Sequence, residues 1–169
     1  MFEKSKAKDA DRGSVLRLYN SLKNMPGCTW DESYPTTLNI DEDLNSETLY
    51  CLRDSNGKII AVASAIEEVE WEEENSKFGW TRTEGIACGV ARVGVCKEFQ
   101  GQGTGRSMME YLISELKNKK YEAIHMLVSK TNLPALSLYR KLGFCKCGEV
   151  NLYEKDWDCF EMLITQGIS

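Results

Sequence analysis

Apolar and polar positions follow two rhythms along this chain, and the switches between them predict its elements. Val15, Leu16, Leu18, Tyr19 and Leu22 recur at helical spacing. They predict a helix that follows a cap at Asp9 or Asp11 and runs to about Asn24, where Met25-Pro26-Gly27 ends it. The loop from Cys28 to Leu38 carries Trp30, Tyr34 and Pro35. Asn39 then stands where it could cap a short acidic helix, Ile40 to Asn45. Thr48–Arg53 and Lys58–Ile66 read as an antiparallel hairpin, because Asp54-Ser55-Asn56-Gly57 between them is a strong turn sequence. Val90 to Cys96 is a short apolar run of strand length. Met108, Met109, Leu112, Ile113 and Leu116 restore the helical period, and Lys117 to Lys120 put cations at that helix's C-terminal turn. Ala123–Val128 predicts a strand, and Asn132–Leu142 a helix with Ala135, Leu136, Tyr139 and Leu142 on its apolar side. Gly143 suits the position just past the helix end. Cys145–Val150 and Trp157–Ile164 close the chain as two strands joined by Glu154-Lys155-Asp156. Residues 1–7 offer a weaker first strand. The order predicts a mixed α/β sheet with helices on both faces.

One junction in this order carries chemistry. The Val90–Cys96 strand runs into Gln100-Gly101-Gln102-Gly103-Thr104-Gly105, and a helix follows directly. The first turn of a helix has N–H groups without internal partners and partial positive charge. Glycine lets backbone approach a phosphate closely. Arg106 sits in that first turn, where a cation opposes the helix dipole and a bound polyanion would relieve it. Read alone, the stretch is equally a plain glycine-rich turn before an amphipathic helix.

Composition narrows the function classes. A chain of 169 residues suits one domain spanning 1–169. No apolar run approaches membrane-span length, and no apolar segment follows Met1-Phe2-Glu3-Lys4, so no membrane role and a cytoplasmic location are expected. The net charge of −5 argues against a nucleic-acid partner. Seven cysteines sit mostly alone in apolar runs, which suits free thiols. Cys145-Lys146-Cys147 lacks a second ligand pair and His125 is the single histidine, so no metal is expected. The alternation instead fits a strand with both thiols on one face. Glu67, Glu68, Glu70, Glu72, Glu73 and Glu74 crowd around Trp71, with Trp80 beyond. That segment reads either as a solvated hairpin extension or as an acidic lip that attracts an amine.

Two segments together resemble the GCN5-related N-acetyltransferases, the GNAT family. Gln100-x-x-Gly103-x-Gly105, just after a Val-x-Val strand end, resembles the family's pyrophosphate loop. Asn132-x-x-Ala135-x-x-Leu138-Tyr139-Arg140-Lys141-Leu142-Gly143-Phe144 resembles its Asn…Ala…Leu-Tyr-x-Lys-x-Gly-Phe segment. The motifs cover residues 88–144, and the element order covers nearly the whole chain. The resemblance implies a mostly antiparallel sheet of six to seven strands with about four helices. It implies acetyl-CoA as co-substrate and a small amine or peptide amine as acceptor, in a monomer or homodimer. By the same resemblance the backbone at Val93, Gly94 and Val95 aligns the pantetheine arm. Backbone N–H groups of Gln100, Gly101, Gln102, Gly103, Thr104, Gly105 and Arg106 hold the pyrophosphate. Asn132 either meets the pantetheine or caps the following helix, and Tyr139 protonates the leaving thiolate. Trp30 and Tyr34 border the acceptor.

The sequence departs from the family at one point. Some members carry a glutamate base six residues before the second valine of Val-x-Val, and here that residue is Gly89. Glu84 is the candidate base further up the strand, with Glu67, Glu68, His125 and water as alternatives. A CoA-binding sensor without turnover is the competing reading. A mononucleotide site is disfavoured because no Gly-Lys-Ser/Thr follows the glycines.

Overall fold

The computed structural model describes residues 1–66, 75–81 and 87–164, the side chains of 75 and 76 excepted. Glu67, Glu68, Trp71 and Glu84 therefore lie outside the described residues. Among the described residues, seven strands are β1 (Glu3–Lys6), β2 (Leu49–Arg53), β3 (Ile59–Ile66), β4 (Ala87–Val95), β5 (Ala123–Ser129), β6 (Cys145–Leu152) and β7 (Lys155–Leu163). The α-helices are α1 (Arg12–Leu22), α2 (Thr37–Asn45), the single turn α3 (Asn75–Phe78), α4 (Thr104–Asn118) and α5 (Leu133–Leu142). The strands form one mostly antiparallel sheet in the order β1-β2-β3-β4-β5-β7-β6. The chain forms two compact units, Met1–Ala65 with Ala91–Leu112, and Ile66–Val90 with Ile113–Ser169. Strand β4 passes from the second into the first.

In the first unit, β2 alternates its burial between two helix layers. Leu49 and Cys51 join Ile59 and Val62 of β3 beneath Val15, Leu18, Tyr19 and Leu22 of α1 and Ile40 and Leu44 of α2. Tyr50 between them meets Tyr111 of α4 edge-on at 5.7 Å, as the two-residue period of a strand requires. Two caps differ from the expectation. Helix α2 starts at Thr37 rather than Ile40, because Asn39 lies inside its first turn and accepts the Thr36 N–H at 2.8 Å. Asp11 does not cap α1 with its side chain. Its carboxylate instead accepts the Lys8 N–H at 2.8 Å and the Arg53 guanidinium at 2.7 Å.

In the second unit, β5 runs parallel to the start of β4 and antiparallel to β7. The β6–β7 turn falls at Tyr153 and Glu154, both at positive φ (55° and 60°), earlier than the polar Glu154-Lys155-Asp156 stretch suggested. Two left-handed residues match the strand twist, but neither is the glycine or asparagine that normally signals such a turn. The ladder of β6 slips between Lys146 and Gly148. The bulge breaks the expected alternation of Cys145 and Cys147: Cys145 is exposed, whereas Cys147 packs beside Phe78 and Cys159. The cause is a close backbone approach. A Cβ on Gly148 would collide with the Phe78 carbonyl, and one on Gly79 with the Cys147 carbonyl.

Candidate functional site

The apolar run that predicted a strand is β4, and it does two things. Its first part, Ala87–Gly89, pairs with Ala123–His125 of β5, and the ladder ends there. Its second part belongs to the first unit and contains Arg92 at φ 51°, a left-handed conformation that a branched or long side chain rarely adopts. After this turn, Val93 and Val95 are half-buried and Gly94 is buried. A Cβ at Gly94 would stand 3.0 Å from Leu18 and Leu22 and 3.3 Å from Trp30. Glycine at 94 therefore lets α1 and the 28–35 loop lie directly on the strand. The Gln100 amide donates to the Val95 carbonyl at 3.0 Å and ties the glycine loop to the strand end.

The loop itself is built for backbone direction. Gly101 and Gly103 hold φ of 72° and 82°, and a Cβ at either would meet none of the described residues within 4 Å. The glycines are there for their conformation and leave open space beside the backbone. Gln102 donates to the Glu98 carbonyl at 2.8 Å. Helix α4 then begins at Thr104, so the N–H groups of its first turn have no intrahelical acceptor. The Thr104 hydroxyl is buried with no hydrogen-bond partner among the described residues. An orphaned hydroxyl at a helix N-terminus, next to open glycine backbone, fits an anionic ligand such as a pyrophosphate. Gly105 continues the turn. Arg106 donates to Glu110 one helical turn on, at 2.8 Å and half exposed. That ion pair offsets part of the cation's conflict with the helix dipole.

The 28–35 loop completes the first unit's share. Trp30 packs edge-on against Tyr19 at 5.2 Å. Tyr34 is exposed at the ring, and its hydroxyl accepts from Arg92 Nη1 at 3.1 Å. Arg92 also donates through Nε and Nη2 to the Asp43 carboxylate at 3.0 and 2.6 Å. Asp43 is 2% exposed and further accepts from Ser64 Oγ at 2.6 Å. Burial is the largest single influence and opposes the charged guanidinium, yet the Asp43 hydrogen bonds, together with the charge interaction and hydrogen bond from Tyr34 and the Asp43 charge, outweigh it and raise the Arg92 pKa. Sequence reasoning missed Arg92 and Asp43. The available signal was an arginine inside an otherwise apolar strand, which demands a buried carboxylate somewhere in the fold.

The second unit holds the other motif. Asn132 Oδ1 accepts the Ala135 N–H at 3.3 Å, so its side chain caps α5. Pro134 lies in the first turn, and Gly143 at φ 102° terminates the helix. Tyr139 is buried on α5 and meets Phe144 edge-on at 5.8 Å. Its hydroxyl makes no hydrogen bond to the described residues, and burial alone pushes its pKa up. It is therefore a neutral O–H donor across the whole physiological range. His125 is fully buried, joined to Glu161 at 2.8 Å and stacked on Trp80 at 4.1 Å. Glu161 also accepts the Thr81 N–H at 2.9 Å. Gly89, His125 and Glu161 stand in register across β4, β5 and β7.

All seven cysteines are free thiols. Burial pushes Cys51 and Cys96 up, Cys147 to about 11 and Cys159 to about 12. Among the described residues, no group of three or more His, Cys, Asp or Glu side chains could hold a metal. No described helix is long and apolar enough to cross a membrane.

Comparison with known proteins fits this geometry. The model of the acetyltransferase (GNAT) family matches residues 15–144, and the chain belongs to that family. A mycothiol acetyltransferase of Tsukamurella paurometabola is 31% identical over 94 residues, covering 54% of this chain and 32% of the relative. The ribosomal protein bS18-alanine N-acetyltransferase of Escherichia coli is 36% identical over 52 residues, covering 31% of this chain and 35% of the relative. The chain thus matches about a third of the length of each of these two relatives. Among solved structures, yncA of Salmonella typhimurium, determined with its cofactor acetyl-CoA, superposes with a TM-score of 0.73 at 17% identity, covering 100% of this chain and 97% of that one.

Proposed function

We propose that this chain transfers the acetyl group of acetyl-CoA to a primary amine by direct attack, in the cytoplasm and without a metal. The observation that carries the reading is the Gly101–Thr104 turn: two exposed left-handed glycines, a Thr104 hydroxyl without a partner among the described residues and a helix N-terminus, a few residues after the Val93–Val95 backbone. These residues suit the pyrophosphate and the pantetheine arm of the co-substrate. Acetyl-CoA supplies an activated thioester, so the protein's task is to orient it and to manage two protons. Tyr139, neutral and with an unpaired hydroxyl among the described residues, gives its proton to the departing sulfur. Backbone N–H groups near Val93 stabilise negative charge building on the thioester oxygen. Orientation of amine against thioester supplies much of the remaining rate.

A covalent acyl-cysteine is not part of this reading. Cys51, Cys96, Cys147 and Cys159 are held protonated by burial, and the thiolate is the nucleophilic form. The acceptor is a small amine or a peptide amine, approached from the side of Trp30 and Tyr34. The amine's proton leaves through water or through a carboxylate of the 67–84 stretch, of which Glu84 is the first candidate. Gly89 is the one observation that favours a CoA-binding sensor without turnover, since it removes the side chain that serves as base in some family members.

Calorimetric titration with acetyl-CoA tests the binding claim. Gly103→Val places a branched side chain at φ 82° and should weaken acetyl-CoA binding by at least about tenfold, or about 1.4 kcal/mol. Unchanged affinity in a folded variant would refute the pyrophosphate assignment.

A further inference from the structure

We infer that Arg92 is a positioning residue for acetyl-CoA, in that its guanidinium, anchored by Asp43, Ser64 and Tyr34, holds the left-handed turn in β4 that presents the Val93–Val95 backbone. The inference rests on the acetyl-CoA reading above. Its starting point is a conflict in one residue. Arg92 has φ 51° inside a strand, a conformation that glycine or asparagine would adopt at less cost. Its side chain nevertheless makes three hydrogen bonds, to two partners, among the described residues. Nε and Nη2 grip both oxygens of Asp43, and Nη1 reaches the Tyr34 hydroxyl. Asp43 is itself fixed by Ser64 Oγ, and its backbone carbonyl accepts the Thr48 N–H at 2.9 Å. A planar fork held bidentately has one orientation. Once the fork is fixed from α2, β3 and the 28–35 loop, the backbone behind it is fixed as well.

That backbone is where β4 changes character. The ladder with β5 stops at Gly89. Two residues past Arg92, Gly94 is pressed by Leu18, Leu22 and Trp30. Beyond it the Cys96 N–H donates to the Ile60 carbonyl at 2.8 Å. A left-handed residue inserted in a strand rotates the peptides that follow, as a bulge does, and so sets which way their N–H and C=O groups point. Stability alone does not account for the choice. A buried ion pair gains little over well-packed apolar residues, and here it comes with backbone strain. Such a pair earns its place where one conformation must be specified. Arg92 also joins two functions in one residue. Its backbone leads into the segment assigned to the pantetheine, and its side chain fixes Tyr34 in the loop assigned to the acceptor. Acetyl-CoA binding and acceptor-loop order are thereby coupled.

The test uses the full chain and acetyl-CoA itself, with far-ultraviolet circular dichroism to establish folding at the titration temperature. Arg92→Lys keeps the charge and loses the fork. Arg92→Met combined with Asp43→Leu removes both charges and leaves no orphaned ion. Calorimetry should show both variants binding acetyl-CoA about tenfold or more weakly. Amide hydrogen exchange at Val93–Val95, slowed by acetyl-CoA in the wild type, should be slowed much less in the variants. A merely structural ion pair would lower the melting temperature and leave both readouts unchanged. Wild-type-like affinity and protection in folded Arg92→Lys would overturn the inference, and that single variant decides if the double variant does not fold. Failure of the wild type to bind acetyl-CoA would overturn the acetyl-CoA reading and this inference with it. A binding wild type with indifferent variants would remove this inference alone.

Discussion

Tyr139 shows how much of a residue's chemistry its surroundings set. From spacing it is one more apolar-face residue of α5, as burial in a helix would have it. The structure adds that its hydroxyl has no hydrogen-bond partner among the described residues and that burial alone raises its pKa. In the function we propose, this hydroxyl gives its proton to the departing thiolate. Tyr139→Phe should cut turnover by about a hundredfold, the low end for a positioned proton donor, with acetyl-CoA affinity unchanged by calorimetry. Equal turnover would remove Tyr139 from the mechanism. The same burial has a consequence at high pH. The folded-state pKa values of Tyr19 and Tyr139 lie above the unfolded value of about 10, Tyr19 through burial and the nearby Asp43 carboxylate. Their contribution to stability is complete below about pH 10 and is lost as pH rises through the folded values. In a spectrophotometric titration these two rings should stay neutral above about pH 10 and should titrate only as the fold is lost. Ionisation of Tyr19 or Tyr139 near pH 10 with the fold intact would contradict this. At the same scale, Asn132 was legible as a choice between two roles, and the 3.3 Å bond to Ala135 identifies the cap as one it performs. The left-handed turn at Arg92 was not legible, because a pattern of apolar positions records that a strand exists and not that one of its residues turns left-handed.

At the scale of elements, the apolar rhythm found the strands and the long helices, and the differences lie where a side chain had two possible uses. Asp11 could cap α1 or pair with Arg53, and only the fold brings Arg53 to it. Asn39 could begin α2 or sit within its first turn. The β6 bulge at Cys147 depends on Gly79 and Gly148 meeting back to back, and they are far apart in sequence. The Tyr153-Glu154 turn lacks its usual residues. By contrast, the strand–glycine–helix junction was legible, since strand, turn and helix signals are all local. One prediction belongs to this level. Gly94 sits where α1 presses on β4, so Gly94→Val should destabilise the chain by about 1–3 kcal/mol, the usual cost of overpacking. Denaturant unfolding measures it, and an unchanged midpoint would mean that α1 does not close on the strand as described.

For the whole molecule, the family membership and the fold are established by a match over residues 15–144 and a mostly antiparallel seven-stranded sheet. Both followed from two motifs in the right order on the right elements. The acceptor did not follow, for a physical reason. In the function we propose, the co-substrate is gripped largely through backbone, whose geometry recurs with the glycine pattern, while the amine is met by side chains on loops whose sequence carries no shared signature. Gly89 leaves the base to groups elsewhere, and the acidic 67–84 stretch is the nearest in sequence. We propose transfer of an acetyl group from CoA to an amine by this chain. Its most direct measurement is release of free CoA thiol from acetyl-CoA against a panel of small amines and peptides with free N-termini or lysines, with the amine analysed by mass spectrometry. At least one amine class should stimulate thiol release and emerge acetylated, and Tyr139→Phe should suppress both. Tight acetyl-CoA binding with no amine-dependent release across the panel would contradict this transfer and make the chain a CoA sensor.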